Sequence, residues 1–180
     1  MKPLHGTNLK RFLRDYRRQN PVTVDLALML HSVTYPVNVG SLFRIADATK
    51  VSLMLLAGAT PSPPQAPISK VGRDKDRVVP WRHEPDPEAA VLALHEAGYT
   101  PIALELTEDA HPYFEVEYPP HVALIVGNED HGVSKDVLQH CQTTVFVPMY
   151  GKGLSLNVHV SAAVVLYQIL HQPEFLDSEA

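Results

Sequence analysis

Apolar and polar positions along the chain form two kinds of stretch. Short runs that are apolar throughout predict strands buried on both faces, and apolar residues at every third or fourth position predict helices. Strands are predicted at 22–30, 51–57, 100–106, 121–127 and 143–149, and helices at 9–18, 38–49, 86–97, 134–140 and 156–171. Because strands and helices alternate, the sequence predicts an α/β fold with a parallel sheet.

The stretch 60–87 follows neither pattern. It contains seven prolines and shows neither a helical period nor a clear strand. A structureless insertion of this length in a compact domain is usually a functional lid or a mobile binding loop. We therefore predict such a loop here, with a disordered linker as the alternative.

Charge is distributed very unevenly along the 180 residues. The net charge is −5, yet residues 1–87 hold thirteen Lys and Arg against seven Asp and Glu, whereas residues 88–180 hold two against thirteen. A basic face of this kind is typical of proteins with a phosphate-rich partner, although an unevenly solvated surface would look the same. The candidate phosphate contacts are Arg11, Arg14, Arg17, Arg18, Lys70, Arg73 and Arg77.

Composition narrows the class of protein. No apolar run approaches the roughly 20 residues of a membrane span, and the first residues lack the apolar core of a signal peptide. The single cysteine, Cys141, cannot form an internal disulfide. We therefore expect a cytoplasmic protein with no membrane association.

Familiar chemical motifs are absent from the sequence. Gly127 and Gly132 have the spacing of a P-loop, but Val133 occupies the position of its lysine, so an NTP-binding enzyme is disfavoured. Gly151 and Gly153 lack the third glycine of a dinucleotide-binding loop. The ten histidines show no HExxH spacing, and no G-x-S-x-G elbow occurs. We therefore expect neither a metal site nor a serine hydrolase.

Three loops that follow predicted strands carry a resemblance to a known family. The stretches NVGSLFRIADA (38–48), ALIVGNEDHGVS (123–134) and VPMYGKGLSLNVHVSAAVVLY (147–167) are similar to the three ordered motifs of the SpoU (TrmH-type) RNA ribose methyltransferases of the SPOUT superfamily. The resemblance implies S-adenosylmethionine as methyl donor, a ribose 2′-hydroxyl of tRNA or, less favoured, rRNA as acceptor, a C-terminal trefoil knot and a homodimer. It divides the chain into a basic N-terminal extension (1–21), a SPOUT methyltransferase domain (22–172) and a C-terminal tail (173–180).

The resemblance also implies roles for individual residues. Arg44 would stabilise charge developing on the hydroxyl and contact phosphate, since a guanidinium that stays protonated is a poor base, with a role as the base itself as the open alternative. Glu129 would orient Arg44, and Asn38 would cap its helix. Asn157 and Ser155 would lie at the start of the last helix, available as a cap and as polar contacts in the site. Gly151 and Gly153 would adopt backbone angles closed to other residues. The implied catalytic residues are Asn38, Arg44, Glu129, Ser155 and Asn157, and the implied cofactor-binding residues are Leu104, Glu105, Gly127, Val147, Met149 and Leu156.

Three points stay open. His159 occupies a position where the resembling pattern usually has a small residue, as in SLNVSVA. Arg44 has a purely structural alternative, a surface salt bridge with Asp47 or Asp130. A non-catalytic RNA-binding protein that retained this fold is the alternative to an enzyme.

Overall fold

The computed structural model describes residues 2–172, so the predicted tail at 173–180 lies outside the described residues. The helices are α1 (Gly6–Gln19), α2 (Pro36–Ala48), α3 (Ala66–Gly72), α4 (Pro87–Glu96), α5 (Lys135–Leu138) and α6 (Val158–Leu170). The strands are β1 (Asp25–His31), β2 (Leu53–Ala57), β3 (Trp81–Glu84), β4 (Thr100–Leu104), β5 (His111–Pro112), β6 (His121–Val126) and β7 (Thr143–Phe146).

Within the described residues these strands form one seven-stranded sheet in the order β3-β2-β1-β6-β4-β7-β5. Every pair of neighbouring strands is parallel, and Leu28 in the centre lies opposite Met54 on one side and Leu124 on the other. The predicted parallel α/β fold is confirmed. The strand order does not establish a trefoil knot, which stays a prediction.

The sheet is buried on both faces, which explains the unbroken apolar run of β1. Leu26, Leu28 and Leu30 pack against α2 and α6 on one face. Ala27 and Met29 pack against α4 and α5 on the other. Alternate β1 side chains point to opposite faces, so both sets must be apolar.

The stretch 60–87 is folded, and the prediction of a structureless loop is wrong. It contains α3, a 3₁₀ turn at Lys75–Arg77 and the edge strand β3. Ile68 is fully buried, and a Cβ on Gly40 would lie 2.6 Å from the Ile68 carbonyl oxygen, so glycine allows α2 and α3 to approach closely. Elements this short show no period in the sequence and depend on packing for stability.

Helix α1 contains the predicted helix 9–18 and extends it at both ends. Every residue of α1 is at least partly exposed, including Leu9, Phe12, Leu13 and Tyr16 on its apolar side. Among residues 2–172, no helix combines the length and apolar character needed to cross a membrane.

Candidate active site

A cleft of about 1130 Å³ opens beyond the carboxyl ends of β4, β6 and β7. Ligands of open parallel sheets bind at this edge, because the loops that follow the strands meet there. Every residue predicted to contact the methyl donor lines the cleft, and so does every predicted catalytic residue except Arg44. These lining residues are Asn38, Leu104, Glu105, Gly127, Glu129, Val147, Met149, Ser155, Leu156 and Asn157.

Two helices begin at the cleft. The first turns of α2 and α6 both contribute lining residues, among them Pro36 and Val158. Asn157 caps α6 as predicted, since its side-chain oxygen accepts a hydrogen bond from the His159 backbone N–H at 3.2 Å. Helix N-termini carry partial positive charge and unpaired N–H groups, so this end of the cleft favours an anionic group.

Glu129 anchors the loop that precedes α2. One carboxylate oxygen accepts hydrogen bonds from the Thr34 backbone N–H at 3.1 Å and the Thr34 hydroxyl at 3.3 Å. The other accepts from the Tyr35 N–H at 3.3 Å and from Asn38 Nδ2 at 2.7 Å. Burial by itself would raise the pKa of Glu129, but these hydrogen bonds outweigh burial and lower it. Glu129 is therefore a charged anchor.

The predicted contact between Glu129 and Arg44 is absent among the described residues. Both carboxylate oxygens are occupied by residues 34–38, and Arg44 lies two turns further along α2 on its exposed side. Within residues 2–172 Arg44 forms a salt bridge with neither Asp47 nor Asp130, the alternative considered for it, and Asp47 instead pairs with Lys75 at 2.8 Å.

Arg44 shares an exposed stripe of α2 with cleft-lining Val37. The two residues are seven positions apart, which places them on the same helix face about 10 Å apart along the axis. Side chains on a helix lean toward its N-terminus, and here that is the cleft end. Arg44 is thus placed beside the cleft and does not line it.

Asn38 does not cap α2, and that prediction is wrong. The helix begins at Pro36 with Tyr35 as its N-cap, so Asn38 lies inside the first turn. Proline suits the first helical position, which moves the start ahead of the polar residue. Asn38 is only 6% exposed and bridges Glu129 to His159, whose Nδ1 lies 3.2 Å from Asn38 Oδ1.

Asn128 is a structural residue of the cleft that the sequence reasoning missed. Its Oδ1 accepts hydrogen bonds from the backbone N–H groups of Asp130 and His131 at 2.9 and 3.0 Å. Its Nδ2 donates to the Ser32 carbonyl at 2.7 Å, tying this loop to the end of β1. The signal in the sequence was an asparagine in a glycine-bounded loop, where its side chain forms an Asx turn.

Two glycines let this loop pack tightly against β4. Gly132 has φ +65°, and a Cβ there would overlap the Glu105 carboxylate. A Cβ on Gly127 would overlap the carbonyl carbon of Gly132. Glu105 in turn accepts a hydrogen bond from the Val133 N–H at 2.8 Å. The glycine spacing that resembles a P-loop thus serves a compact turn.

The glycines of the third loop differ from expectation. Gly151 and Gly153 do not have positive φ, and a Cβ on Gly151 would meet no atom within 4 Å. The prediction that they adopt angles closed to other residues is wrong. Nothing in the described residues packs against Gly151, and neighbouring Tyr150 and Leu154 are 91% and 95% exposed.

All the predicted phosphate-contacting residues are exposed, four on α1 and three in the segment around α3. Two have acidic neighbours: Arg14 lies 3.4 Å from Asp15, and Arg77 lies 3.8 Å from Asp74. Across residues 2–172, no group of three or more His, Cys, Asp or Glu side chains is arranged to hold a metal ion.

Comparison with known proteins identifies the family. The model of the SpoU rRNA Methylase family matches residues 25–167. The chain belongs to this family. The resemblance drawn from the three motifs is therefore confirmed.

Relatives in the family act on different RNAs. The chain is 33% identical over 156 residues to a tRNA (guanosine(18)-2′-O)-methyltransferase of Thermus thermophilus, covering 87% of this chain and 78% of the relative. It is 30% identical over 147 residues to the 23S rRNA (guanosine-2′-O-)-methyltransferase RlmB of Neisseria meningitidis serogroup B, covering 82% of this chain and 58% of that protein.

Solved structures of SpoU methyltransferases share the fold. AviRb from Streptomyces viridochromogenes, in complex with the cofactor AdoMet, superposes with a TM-score of 0.72 at 26% identity. The match covers 85% of this chain and 62% of AviRb, so the chain spans about three-fifths of that protein's length.

Proposed function

We propose that this protein transfers a methyl group from S-adenosylmethionine to a ribose 2′-hydroxyl of RNA. The observation that carries the proposal is the cleft, where the three family motifs converge around the Glu129 network. The named activities of the Thermus and Neisseria relatives support it.

The residues of the cleft fit S-adenosylmethionine. The proposed contacts come from the ends of β4, β6 and β7, where Gly127 and its neighbours line the cleft. Apolar side chains of Leu104, Val147 and Leu156 border this region, as in most nucleoside pockets. When bound, S-adenosylmethionine supplies an electrophilic methyl group. The AdoMet complex of AviRb supports this assignment.

On the acceptor side, the chain's own residues position the hydroxyl and stabilise its charge. Ser155 and Asn157 line the cleft at the start of α6 and supply polar contacts. Glu129 holds residues 34–38 in place; its lowered pKa and four hydrogen bonds make it a weak base. Arg44 supplies positive charge for the developing alkoxide and for a neighbouring phosphate.

For the RNA substrate we propose tRNA ahead of rRNA. The Thermus tRNA enzyme is matched over 78% of its length, against 58% for the Neisseria rRNA enzyme. The basic residues of α1 and of the α3 segment supply phosphate contacts in this proposal.

We further propose that the protein is a homodimer. Val37 on α2 is 52% exposed, and Val160 and Tyr167, seven positions apart on α6, are 40% and 47% exposed. Exposed apolar side chains on two helices that cover the same face of the sheet are typical of an interaction surface. Light scattering coupled to size-exclusion chromatography tests this directly, and a monomer at all concentrations would contradict it.

One experiment tests the activity. The protein is incubated with methyl-labelled S-adenosylmethionine and separate pools of tRNA and rRNA, and the labelled nucleotide is located by mass spectrometry. We expect a 2′-O-methylated nucleotide in tRNA. RNA binding without methyl transfer would instead favour the non-catalytic RNA-binding protein.

A further inference from the structure

His159 joins the three motifs through one chain of hydrogen bonds. Its Nδ1 lies 3.2 Å from Asn38 Oδ1, and Asn38 Nδ2 donates to Glu129 at 2.7 Å. Glu129 in turn accepts from the backbone of Thr34 and Tyr35. The start of α6, the start of α2 and the loop after β6 are therefore linked through side chains that are 91 and 121 residues apart in sequence.

The direction of each hydrogen bond in this chain is fixed by chemistry. A carboxylate only accepts, so the Asn38 amide must present its NH₂ group to Glu129. The Asn38 carbonyl oxygen then faces His159, and the proton of this contact must reside on His159 Nδ1. Burial lowers the pKa of His159, which favours the neutral imidazole, and the contact with Asn38 places its proton on Nδ1.

We propose that His159 is a positioning residue that fixes the Asn38 amide, and through it Glu129, on the acceptor side of the cleft. With His159 in place Asn38 is only 6% exposed, and its carbonyl oxygen depends on His159 Nδ1 for a hydrogen-bond partner. An unpaired amide can rotate, and Glu129 then loses the 2.7 Å hydrogen bond from Asn38, one of the four that hold it in place. The expected effect on kcat rests on the proposed methyl transfer. The positioning of the Asn38 amide by His159 does not depend on that proposal.

Three substitutions separate positioning from the other roles of a histidine. In His159→Asn the side-chain NH₂ group takes nearly the place of Nδ1, so the bond to Asn38 is retained. In His159→Gln the donor lies one bond further out, near the place of Nε2, and in His159→Ala it is removed. His171→Ala is the matched control, because His171 lies at the other end of α6 and its side chain hydrogen-bonds only the Tyr167 carbonyl among the described residues.

Three measurements are made on the full chain. They are kcat for methylation of pooled tRNA, S-adenosylmethionine affinity by calorimetry, and the ¹H–¹⁵N signal of the Asn38 side-chain amide. That signal is assigned by its disappearance in Asn38→Ser. We expect His159→Ala and His159→Gln to lower kcat about tenfold, equivalent to the removal of one hydrogen bond, and to shift the Asn38 signal. We expect His159→Asn to keep the wild-type kcat and the wild-type Asn38 signal, and S-adenosylmethionine affinity to be unchanged in all three variants.

Other outcomes overturn the proposal in distinguishable ways. If all three His159 variants lose activity while the Asn38 signal stays unmoved in His159→Asn, the hydrogen bond is intact and yet insufficient. His159 would then act as a proton acceptor and not as a positioning residue. Unchanged kcat and an unchanged signal in all three remove any role. If the wild-type protein transfers no methyl group, the proposed function fails, yet the Asn38 signal still decides whether His159 positions the amide.

Discussion

Replacing the Glu129 carboxylate tests whether it anchors the loop before α2. In Glu129→Gln one of the two oxygens becomes an NH₂ group, although both face donors. The less costly orientation turns the NH₂ group toward Thr34, whose hydroxyl rotates to accept from it. Only the Thr34 backbone N–H then loses its partner, and the bonds of Tyr35 and Asn38 continue with a neutral acceptor.

The expected loss of stability follows from the number of hydrogen bonds that each substitution removes. Removing one hydrogen bond at a half-buried site lowers the free energy of unfolding by about 1 kcal/mol. For a chain of this size that corresponds to a fall in Tm of about 2–4 °C. Glu129→Ala removes all four hydrogen bonds, and because Thr34 and Tyr35 can bond to water, the expected cost is about 2–3 kcal/mol.

Urea unfolding at pH 7 and at acidic pH provides the assay. The pKa of Glu129 is lowered on folding, so its contribution is present above its unfolded value of about 4.5 and is lost as the pH falls through the folded pKa. Wild type and Glu129→Gln should therefore converge in acid. Asp130→Asn is the stability control, since the Asp130 side chain is exposed and forms no hydrogen bond or salt bridge within residues 2–172.

Two results would refute this reasoning. Equal stability of wild type and Glu129→Ala at pH 7 would show that the four hydrogen bonds contribute nothing. A difference between wild type and Glu129→Gln that stays constant into acid would show that the charge of Glu129 is not what stabilises the loop.

Three further predictions concern ligands. S-adenosylmethionine affinity and turnover should be unchanged by a chelator, and loss of either on chelation, with recovery on adding a metal, would contradict this. Arg44→Ala should abolish methylation while calorimetry gives a near-normal cofactor affinity, because Arg44 lies outside the cleft lining; near-normal turnover would remove its role. Alanine at the α1 arginines should weaken RNA binding. It should also make the plot of log affinity against log salt concentration shallower, by a slope of about 0.7–0.9 for each phosphate charge no longer neutralised. Parallel plots for the wild type and the variant would contradict this prediction. These arginines are Arg11, Arg14, Arg17 and Arg18.

The sequence alone determined the parts of this protein that depend on short-range pattern. The apolar run of β1 predicted a strand buried on both faces, because alternate side chains must each meet an apolar layer. Asn157 was predicted as a cap because a cap bonds backbone only two or three residues away. The order of the three motifs sufficed to indicate the family.

Only the tertiary structure decided which side chains meet. Glu129 bonds residues 91 to 95 positions away rather than Arg44, and His159 reaches Asn38 across 121 positions. No local pattern encodes such pairs, because they depend on how strand ends and helix starts converge at one edge of the sheet. The folding of the segment 60–87 also depends on contacts with residues that are distant in the sequence. Its seven-residue helix α3 is stabilised by the close approach that Gly40 allows, and a sequence this short shows no helical period.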